Sequence, residues 1–239
     1  MKIALFGHGK TGKKIEEIGL GRGHEFPFII TSVNSNEISQ GDLGSCDVAI
    51  DFSNTKSVLS NIKKCFEVNL PIVIGTTGWH EQYEEVKLTC IENNNSLFFA
   101  SNFSIGANIM FNLNEKLASL MDHQKDYDVE ITEVHHLDKK DHPSGTAITI
   151  AKGIIENLER KHSWTLEEPA GNNELIIHSG REGDVKGIHS VKYSSDIDTV
   201  ELKHNVTDRA AFALGSLVAA EWLVNRTGIF GMEDLLNQQ

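Results

Sequence analysis

Short apolar runs alternate with stretches of helical spacing over about the first hundred residues of the chain. Apolar runs that predict buried strands lie at residues 3–6, 26–31, 47–52, 71–75 and 96–100. Stretches with helical spacing lie between them, at residues 13–19, 55–68 and 80–92. Strands and helices that alternate in this way are typical of a parallel sheet covered by helices. This part of the sequence therefore predicts a doubly wound α/β fold.

The pattern changes in the rest of the chain. Apolar residues recur at helical spacing over 106–121 and 144–159, with a strand-like run at 127–135 between them. Further alternating runs, at 175–180, 187–195 and 199–204, predict the strands of an antiparallel sheet. An alanine-rich segment at 208–225 predicts a closing helix with Thr207 or Asp208 as its N-cap. We therefore expect an α+β half with a mixed or antiparallel sheet.

Residues 162–173 are the most loop-like segment of this second half. They contain Pro169, Gly171 and a pair of asparagines, which favour turns over regular structure. We expect this segment to be the most mobile part of the chain.

A glycine-rich hexapeptide follows the first predicted strand directly and opens the first predicted helix. Its residues are Gly7, His8, Gly9, Lys10, Thr11 and Gly12, in the spacing G-x-G-x-x-G. Glycines at these places allow a tight turn and let the backbone approach a pyrophosphate at the helix N-terminus. An ordinary strand-to-helix turn is the alternative interpretation. The order of strand, turn and helix favours a dinucleotide site in a Rossmann-like domain.

The end of the second predicted strand does not indicate which nicotinamide cofactor is used. Residues 26–36 contain no acidic residue to hold a ribose 2′-hydroxyl, which leaves Thr31, Ser32 and Asn34 as neutral candidates. No Lys or Arg lies between Arg22 and Lys56 to bind a 2′-phosphate. The residues leave both NADH and NADPH open.

Small and polar residues also follow three of the other predicted strands. Gly75, Thr76 and Thr77 follow one strand, and Ser101, Asn102 and Phe103 follow the next. Open α/β sheets bind ligands beyond the carboxyl ends of their strands, although ordinary loops would look the same. Asp51, at a third strand end, fits a helix cap as well as a ligand contact.

The segment 133–147 concentrates chemistry in an otherwise acidic chain. It holds three histidines, two lysines and a Ser-Gly-Thr turn that opens a predicted helix. Imidazoles exchange protons near neutral pH, ammonium groups bind carboxylates, and the free amides of a helix start bind anions. Glycine at position 145 would let an anion approach the backbone without a Cβ in the way. The segment predicts a pocket that holds a small acid and protonates it.

Two other interpretations concern this part of the chain. His135 and His136 could bind a metal together with Asp138, Asp141 or His142, but adjacent strand residues point to opposite sides and Lys139 would repel the ion. We therefore expect no metal. Arg181 and Arg209 could contact a carboxylate, although surface salt bridges are the preferred interpretation for both. The remaining histidines, His189 and His204 among them, are interpreted as structural or exposed.

Composition excludes several classes of partner. The 239 residues carry 22 Lys and Arg against 34 Asp and Glu, a net charge of −12, which argues against nucleic-acid and anionic membrane surfaces. The three cysteines lack the spacing of a disulfide framework or zinc site, so we interpret them as reduced thiols. No apolar run is long enough for a signal peptide or membrane span. We expect a cytoplasmic protein.

Five parts of the sequence together resemble one family. They are the glycine loop, the segments 48–53, 74–78 and 102–106, and the block 133–147. The family is the 4-hydroxy-tetrahydrodipicolinate reductase (dihydrodipicolinate reductase) family of bacterial lysine and diaminopimelate biosynthesis. The resemblance covers nearly the whole chain, and the block 133–147 is its most specific part. It implies NADH- or NADPH-dependent reduction of 4-hydroxy-tetrahydrodipicolinate, a small cyclic dicarboxylate, with loss of water.

The resemblance also implies roles for single residues. The histidine matching His135 donates or accepts a proton, and the lysine matching Lys139 donates one. The residues matching His136, Gly145 and Thr146 bind the substrate. The predicted cofactor-binding residues are Gly7, His8, Gly9, Lys10, Thr11, Gly12, Ser32, Gly75, Thr76, Thr77, Ser101, Asn102 and Phe103.

The implied organisation is a dinucleotide-binding domain and a second domain that binds substrate and mediates oligomerisation. We expect the first to comprise residues 1–103 and 210–239 and the second residues 104–209. The family is usually tetrameric, which predicts a homotetramer here. A related dehydrogenase of another imino or amino acid and a dinucleotide-binding module without turnover remain the alternatives. A module of that kind would need no proton donors such as His135 and Lys139.

Overall fold

The computed structural model describes residues 1–208 and 210–237. The chain forms two compact units, Met1–Ile105 with Ala210–Gln239, and Gly106–Arg209. Arg209, considered above as a carboxylate contact, lies outside the described residues. Among the helices of the described ranges, none has the length and apolar character needed to cross a membrane.

A six-stranded parallel sheet forms the centre of the first unit. Numbered along the chain, its strands are β1 (Lys2–Phe6), β2 (Glu25–Ile30), β3 (Val48–Asp51), β4 (Ile72–Ile74), β5 (Ser96–Phe99) and β11 (Gly228–Phe230). Their spatial order is β11-β5-β4-β3-β1-β2, and every neighbouring pair is parallel. From β1 the chain passes first to β2 on one side and then to β3 on the other. The predicted doubly wound Rossmann-like sheet is therefore confirmed.

Helices cover both faces of this sheet. They are α1 (Lys10–Gly21), α2 (Gln40–Leu43), α3 (Val58–Glu67), α4 (Tyr83–Glu92), α7 (Ala210–Leu223) and α8 (Met232–Leu236), with a short 3₁₀ turn at His80–Gln82. On one face, Ile15 of α1 and Leu217 of α7 pack on the sheet. On the other, Ile62 of α3 and Cys90 of α4 do so. Because both faces are covered, β3 and β4 are buried along their whole length.

The second unit is a five-stranded mixed sheet with helices on one face. Its strands are β6 (Asp128–His135), β7 (Ser163–Thr165), β8 (Glu174–Arg181), β9 (Ile188–Ser194) and β10 (Thr199–Asn205), in the order β10-β9-β6-β8-β7. The helices are α5 (Ile105–Met121) and α6 (Gly145–Asn157). Val129 and Ile131 of β6 pack with Ile150 and Ile154 of α6, so the buried side chains of the strand alternate.

The structure confirms the expected mixed or antiparallel sheet and shows that it is mixed. Strand β9 is antiparallel to β6 and β10, but β8 runs parallel to both β6 and β7. The chain reaches β8 through α6 and β7, and a crossover through a helix returns it to the same end of the sheet. Alternation within a strand indicates which side is buried and carries no information on strand direction.

Four short elements were not predicted from the sequence. Strands β7 and β11 have three residues each, α2 has four and α8 has five. Strand β7 lies inside the segment 162–173, which was interpreted as loop. Elements of this length have too few residues to show a period, and they depend on a neighbouring strand or helix for stability.

Candidate active site

The turn between β1 and α1 has glycine where the backbone requires it. Gly7 has φ of +92°, and a Cβ at this position would lie 2.2 Å from the carbonyl oxygen of Phe52. A Cβ at Gly12 would lie 2.1 Å from the carbonyl oxygen of Gly7. Gly9 is the N-cap of α1 and has open space where a Cβ would be. The turn is thus packed tightly inside and open outside, which fits a pyrophosphate at the helix N-terminus.

A cavity of about 370 Å³ lies beside this turn. Its polar lining includes Gly7, His8, Gly9, Thr31, Ser32, Ser53 and Asn54. These residues follow β1, β2 and β3, on either side of the point where strand order reverses. Nε2 of His8 lies 2.7 Å from Oε2 of Glu16, which holds the imidazole against α1. Lys10 and Thr11 form the start of α1, and Lys10 is exposed.

Of the three neutral candidates after β2, Thr31 and Asn34 bond to each other, whereas Ser32 makes no side-chain hydrogen bond to the part of the chain that the structure describes. The Asn34 side chain accepts a hydrogen bond from the Thr31 amide at 2.7 Å and donates one to the Ile29 carbonyl at 2.9 Å. The Thr31 hydroxyl also donates to Asn34. Asn34 therefore closes the end of β2, and Ser32 is exposed on the cavity wall.

Asp51 is neither a helix cap nor a ligand contact. Its buried carboxylate accepts hydrogen bonds from Ser53, from Asn61 at 2.8 Å and from the Thr76 hydroxyl at 2.6 Å. These bonds join the ends of β3 and β4 to α3. Among the residues predicted to bind the cofactor after β4, the Thr76 side chain is therefore committed internally, whereas Thr77 is exposed.

The aromatic residue after β5, Phe103, was expected to bind the cofactor, but its side chain is buried. Phe103 is buried in the core of the first unit, with its ring 5.7 Å from that of Phe52 and 5.9 Å from that of Phe98. Its ring therefore cannot reach a ligand, and only its backbone is left for binding. The Asn102 side chain accepts a hydrogen bond from the Ser104 amide, and Ser101 is exposed. Gly75 is also fixed by packing, because a Cβ there would lie 2.2 Å from the Phe52 ring.

In the second unit, β6 carries a carboxylate and an imidazole into the buried side of the sheet. Glu133 is 0% exposed and His135 is 6% exposed. Nδ1 of His135 lies 3.4 Å from Oε2 of Glu133. The ring of His189, which is 3% exposed on the adjacent strand β9, lies 4.9 Å from the ring of His135. His189, which was interpreted from the sequence as structural or exposed, is buried beside the predicted proton donor.

Hydrogen bonds determine the charge of Glu133. Burial by itself would raise the pKa of this carboxyl, but contacts with His189, Ser144 and Ser179 outweigh burial and hold the pKa well below its usual range. The Ser144 amide donates to Oε1 at 3.0 Å, the Ser179 hydroxyl donates to the same oxygen, and the Arg181 guanidinium lies 3.7 Å away. Glu133 is therefore a buried anion held by donors from three elements.

His135 responds in the opposite direction to its environment. Burial, and then the positive charge that His189 can carry, lower the pKa of His135 to about 4, against the raising influence of Glu133. Without a bound anion the imidazole is therefore neutral at pH 7.

Lys139 and Arg181 shape the loop that follows β6. Nζ of Lys139 lies 2.8 Å from Oδ2 of Asp141, and this contact lowers the pKa of Asp141. The Arg181 guanidinium donates to the carbonyls of Lys139, Gly180 and Asp141. Arg181 thus holds the backbone of this loop in place. The two interpretations from the sequence, a carboxylate contact and a surface salt bridge, did not include this role. His136 follows β6 directly and is partly exposed.

The helix α6 begins beside this group. Ser144 is its N-cap, and the Ser144 hydroxyl accepts from the Ala147 amide at 3.1 Å and lies 3.2 Å from Nε2 of His189. Within the described ranges, the Gly145 and Thr146 amides have no acceptor, so they are open to an anion. A Cβ at Gly145 would meet no protein atom within 4 Å. The fold itself therefore does not require glycine here.

One group of side chains has the geometry of a possible metal site. Donor atoms of Glu133, His135 and His189 lie within 4.8 Å of one another. The group differs from the one considered from sequence, which combined His135 with His136 and later residues. The Arg181 guanidinium beside Glu133 and the ammonium of Lys139 in the same loop oppose a bound cation. The arrangement is better suited to exchanging protons.

Glu133 and His189 belong to this buried group, and neither was singled out as a candidate from the sequence. Glu133 occupies an inward position of β6, in register with Val129, Ile131 and His135. A carboxylate in the apolar phase of a strand is the signal that could have identified it, because such groups are rarely buried without partners. His189 gives no comparable signal, since only the pairing of β6 with β9 brings it near.

The first unit has a Rossmann-like sheet with a glycine turn. The second unit has a buried proton-exchanging group beside open helix amides. Together these features define a two-domain nicotinamide-dependent oxidoreductase. The chain also matches the family model for the N-terminus of dihydrodipicolinate reductase over residues 1–103 and the model for its C-terminus over residues 106–236. The chain belongs to the dihydrodipicolinate reductase family. Members use NADH or NADPH, and the N-terminal domain binds the nucleotide.

Individual relatives agree with this assignment. A 4-hydroxy-tetrahydrodipicolinate reductase of Christiangramia forsetii is 45% identical over 239 residues, covering 99% of this chain and 98% of the relative. One of Alkaliphilus oremlandii is 33% identical over 245 residues and covers 99% of each chain. The solved structure of a dipicolinate-bound dihydrodipicolinate reductase from Paenisporosarcina sp. TG-14 has a TM-score of 0.80, 23% identity and 97% coverage of each chain. At this identity the solved structure establishes the shared fold.

Proposed function

We propose that this chain reduces 4-hydroxy-tetrahydrodipicolinate to tetrahydrodipicolinate with NADH or NADPH, releasing water, in lysine and diaminopimelate biosynthesis. The carrying observation is the position of His135, buried on Glu133 in the same unit that offers the open Gly145 and Thr146 amides. This combines a proton donor with a binding site for a carboxylate. The bound dipicolinate of the Paenisporosarcina relative, itself a ring dicarboxylate, supports a substrate of this class.

The reaction consumes one hydride and one proton. Loss of water from the substrate leaves a carbon–carbon double bond conjugated to C=N, and the nicotinamide cofactor, when bound, supplies a hydride to the far end of this system. The electron pair moves toward the ring nitrogen, and a proton from the protein completes the reduction. The balance is substrate plus NAD(P)H plus H⁺ giving tetrahydrodipicolinate, NAD(P)⁺ and water.

His135 is the proposed proton donor, and the bound substrate changes its charge. The pKa of His135 near 4 belongs to a site without the substrate's two carboxylates. Negative charges within about 4–6 Å favour the imidazolium and raise the pKa of a histidine by roughly 1–3 units. Binding of the dianion thus prepares the acid that the reaction consumes.

The substrate carboxylates bind to positive and N–H groups of the second unit. The proposed contacts are His136 and the Gly145 and Thr146 amides, where the helix dipole adds to hydrogen bonding. Lys139 is the second proposed proton donor and must exchange its contact with Asp141 for the substrate. The ammonium group then also neutralises a carboxylate.

The proposed cofactor site uses the glycine turn and the exposed residues around it. The amides at the start of α1, after Gly9, would bind the pyrophosphate, and Ser32 on the cavity wall would face the ribose. The ends of β4 and β5, with Gly75, Thr77 and Ser101, would complete the nicotinamide side. Phe103 would contribute through its backbone. Thr76 would contribute by joining the end of β4 to Asp51.

A homotetramer in the cytoplasm is part of the same proposal. The face of the second sheet opposite α5 and α6 carries Glu130, Thr132, His178 and Lys192, all partly exposed. A sheet with one uncovered face is suited to pack on a second copy. Sedimentation of the purified chain tests the oligomeric state separately.

Coupled turnover tests the function. Freshly prepared product of dihydrodipicolinate synthase is mixed with the purified chain and NADH or NADPH, and cofactor oxidation is followed by absorbance. We expect substrate-dependent oxidation of one cofactor per molecule of tetrahydrodipicolinate. Oxidation that does not depend on the dicarboxylate, or none with either cofactor, would contradict the proposal.

A further inference from the structure

The carboxylate of Glu133 is divided between two tasks. Oε1 accepts the hydrogen bonds of the Ser144 amide and the Ser179 hydroxyl. Oε2 points to the imidazoles, 3.4 Å from Nδ1 of His135 and 3.5 Å from Nε2 of His189. One buried side chain thus touches the strand of the proton donor, the start of α6 and both neighbouring strands.

Two buried polar atoms of Glu133 and His135 face each other. Oε2 of Glu133 and Nδ1 of His135 are both buried, and neither has a hydrogen bond of good geometry within the described ranges. A buried polar atom without a partner destabilises the folded protein. Oε2 is the acceptor that faces Nδ1 of His135, and it also lies 3.5 Å from Nε2 of His189. Contacts of catalytic groups often shorten only when a ligand binds.

The charge of Glu133 determines the direction of this bond. A carboxylate accepts hydrogen bonds and cannot donate, so the proton between the two groups must reside on Nδ1 of His135. Nε2 is then the nitrogen left to exchange a proton with a ligand. Gly187 keeps space beside it, since a Cβ at Gly187 would lie 3.2 Å from Nε2.

We infer that Glu133 is the positioning residue of this active site. Through Oε2 it fixes His135 with the proton on Nδ1 and Nε2 free for the substrate, and through Oε1 and Ser144 it fixes the start of α6, where the substrate carboxylate binds. The inference rests on the proposed function. It adds a residue that joins the proton donor to the anion site without itself touching substrate.

Removing the negative charge should change the titration of His135. The groups facing this imidazole are Glu133 on its own strand, His189 on β9, Lys139 in the following loop and Arg181 on β8. Glu133 alone among them stabilises the imidazolium, whereas Lys139, Arg181 and the charge that His189 can carry oppose it. Without the carboxylate, His135 loses its proton at lower pH.

The nitrogen signals of His135 give the most direct test. In protein labelled with ¹⁵N-histidine, the chemical shift distinguishes a protonated from an unprotonated ring nitrogen, and His135→Gln identifies the signals. We expect the proton on Nδ1 in the wild-type protein at pH 7. In Glu133→Gln the carboxamide can donate to Nδ1, and the proton should move to Nε2. A wild-type proton on Nε2 would overturn the inference even if the Glu133 variants failed to fold.

Kinetics supply a second, independent readout. We expect Glu133→Gln to lower kcat by roughly 10²-fold, to raise KM for the dicarboxylate and to leave the cofactor Kd unchanged. The alkaline fall of kcat should move down by roughly one pH unit. Glu133→Asp keeps the charge and should restore part of kcat and the wild-type pH profile. Glu156→Gln, an exposed glutamate of α6, is the matched control and should behave as wild type.

Three results would overturn the inference and leave the proposed function standing. One is wild-type kcat and pH profile in a folded Glu133→Gln. The second is equal loss in Glu133→Gln and Glu133→Asp with an unmoved pH profile, which indicates a purely structural role. The third is a stoichiometric metal ion in the purified protein that Glu133→Gln loses, since the carboxylate would then be a ligand. A wild-type protein without turnover would instead contradict the proposed function.

Discussion

A Cβ on Gly12 would lie 2.1 Å from the carbonyl oxygen of Gly7, although the two glycines are five residues apart in the chain. The start of α1 therefore packs directly on the backbone of the preceding turn. Gly9, between them, has nothing within 4 Å of a Cβ. The same motif thus contains two glycines that the fold requires, Gly7 and Gly12, and one, Gly9, that is left open to a ligand.

Substitution by alanine should separate these two roles. We expect Gly12→Ala to lower the free energy of unfolding by about 2 kcal/mol or more, because the backbone of the turn must shift. Gly9→Ala should unfold within about 0.5 kcal/mol of wild type and bind NADH more weakly, since its methyl would lie between the amides and the pyrophosphate. Urea unfolding and cofactor titration check the pair. Unchanged cofactor affinity in Gly9→Ala would contradict binding at this turn.

Removal of either proposed proton donor should slow catalysis without affecting the cofactor. We expect His135→Gln and Lys139→Ala each to lower kcat by roughly 10²-fold or more. Steady-state kinetics with the dicarboxylate check this, with the Kd of NADH as the internal control. If both variants turned over normally, the assigned roles would be wrong.

Changes at the start of α6 should affect the substrate selectively. Gly145→Ala should fold as wild type, because a Cβ there meets no protein atom, and it should raise KM for the dicarboxylate. Thr146→Val should raise the same KM. Neither should change the Kd of the cofactor, which is measured in parallel. An effect confined to the cofactor would place this turn elsewhere in the reaction.

The end of β2 should allow both cofactors. Asn34 closes its own turn, and the polar residues after β2 on the cavity wall, Thr31, Ser32 and Ser35, are neutral. We therefore expect kcat/KM for NADH and NADPH to differ by less than ~30-fold, about 2 kcal/mol. Lys10 is exposed at the start of α1 and can favour NADPH modestly.

The variant Ser32→Asp provides a direct test of this surface. A carboxylate at Ser32 should repel a 2′-phosphate and lower kcat/KM for NADPH by about tenfold or more relative to NADH. Paired kinetics with the two cofactors check both statements. Two results would mean that another residue contacts the ribose. One is a wild-type preference above ~100-fold, and the other is an equal loss for both cofactors in Ser32→Asp.

The low pKa of His135 makes stability depend on pH. Its ordinary value near 6.5 falls to about 4 through burial and the neighbouring His189, so the unfolded chain binds a proton in this range before the folded protein does. The free energy of unfolding should fall as pH decreases from 6.5 toward 4. His204, whose pKa burial also lowers, adds a change of the same sign.

Urea unfolding between pH 6.5 and 5 avoids most of the carboxylate titrations. We expect the wild-type protein to lose roughly 1 kcal/mol more over this window than His135→Gln, which lacks the titrating group. Equal slopes would show that His135 titrates normally in the folded protein.

Much of the site could be predicted from the sequence because its residues are close together in the chain. The glycine turn occupies six consecutive positions, and the histidine, lysine and Ser-Gly-Thr residues lie within fifteen. Turns and helix starts are local, so their chemistry can be recognised from spacing. The parallel sheet of the first unit was predictable for a related reason, since strands buried on both faces are continuous apolar runs.

The sequence alone therefore predicted the class of fold and the two turns proposed to bind anions, and the family resemblance implied the proposed proton donors. Only the tertiary structure decided what surrounds them. The pairing of β6 with β9 brings His189 to His135, and the parallel pairing with β8 brings Ser179 and Arg181 to Glu133. Strand direction and neighbours depend on contacts between distant segments, and hydrophobic periodicity does not encode those contacts. For the same reason, only the packed structure shows Asn34 and Asp51 engaged internally and Phe103 buried in the core.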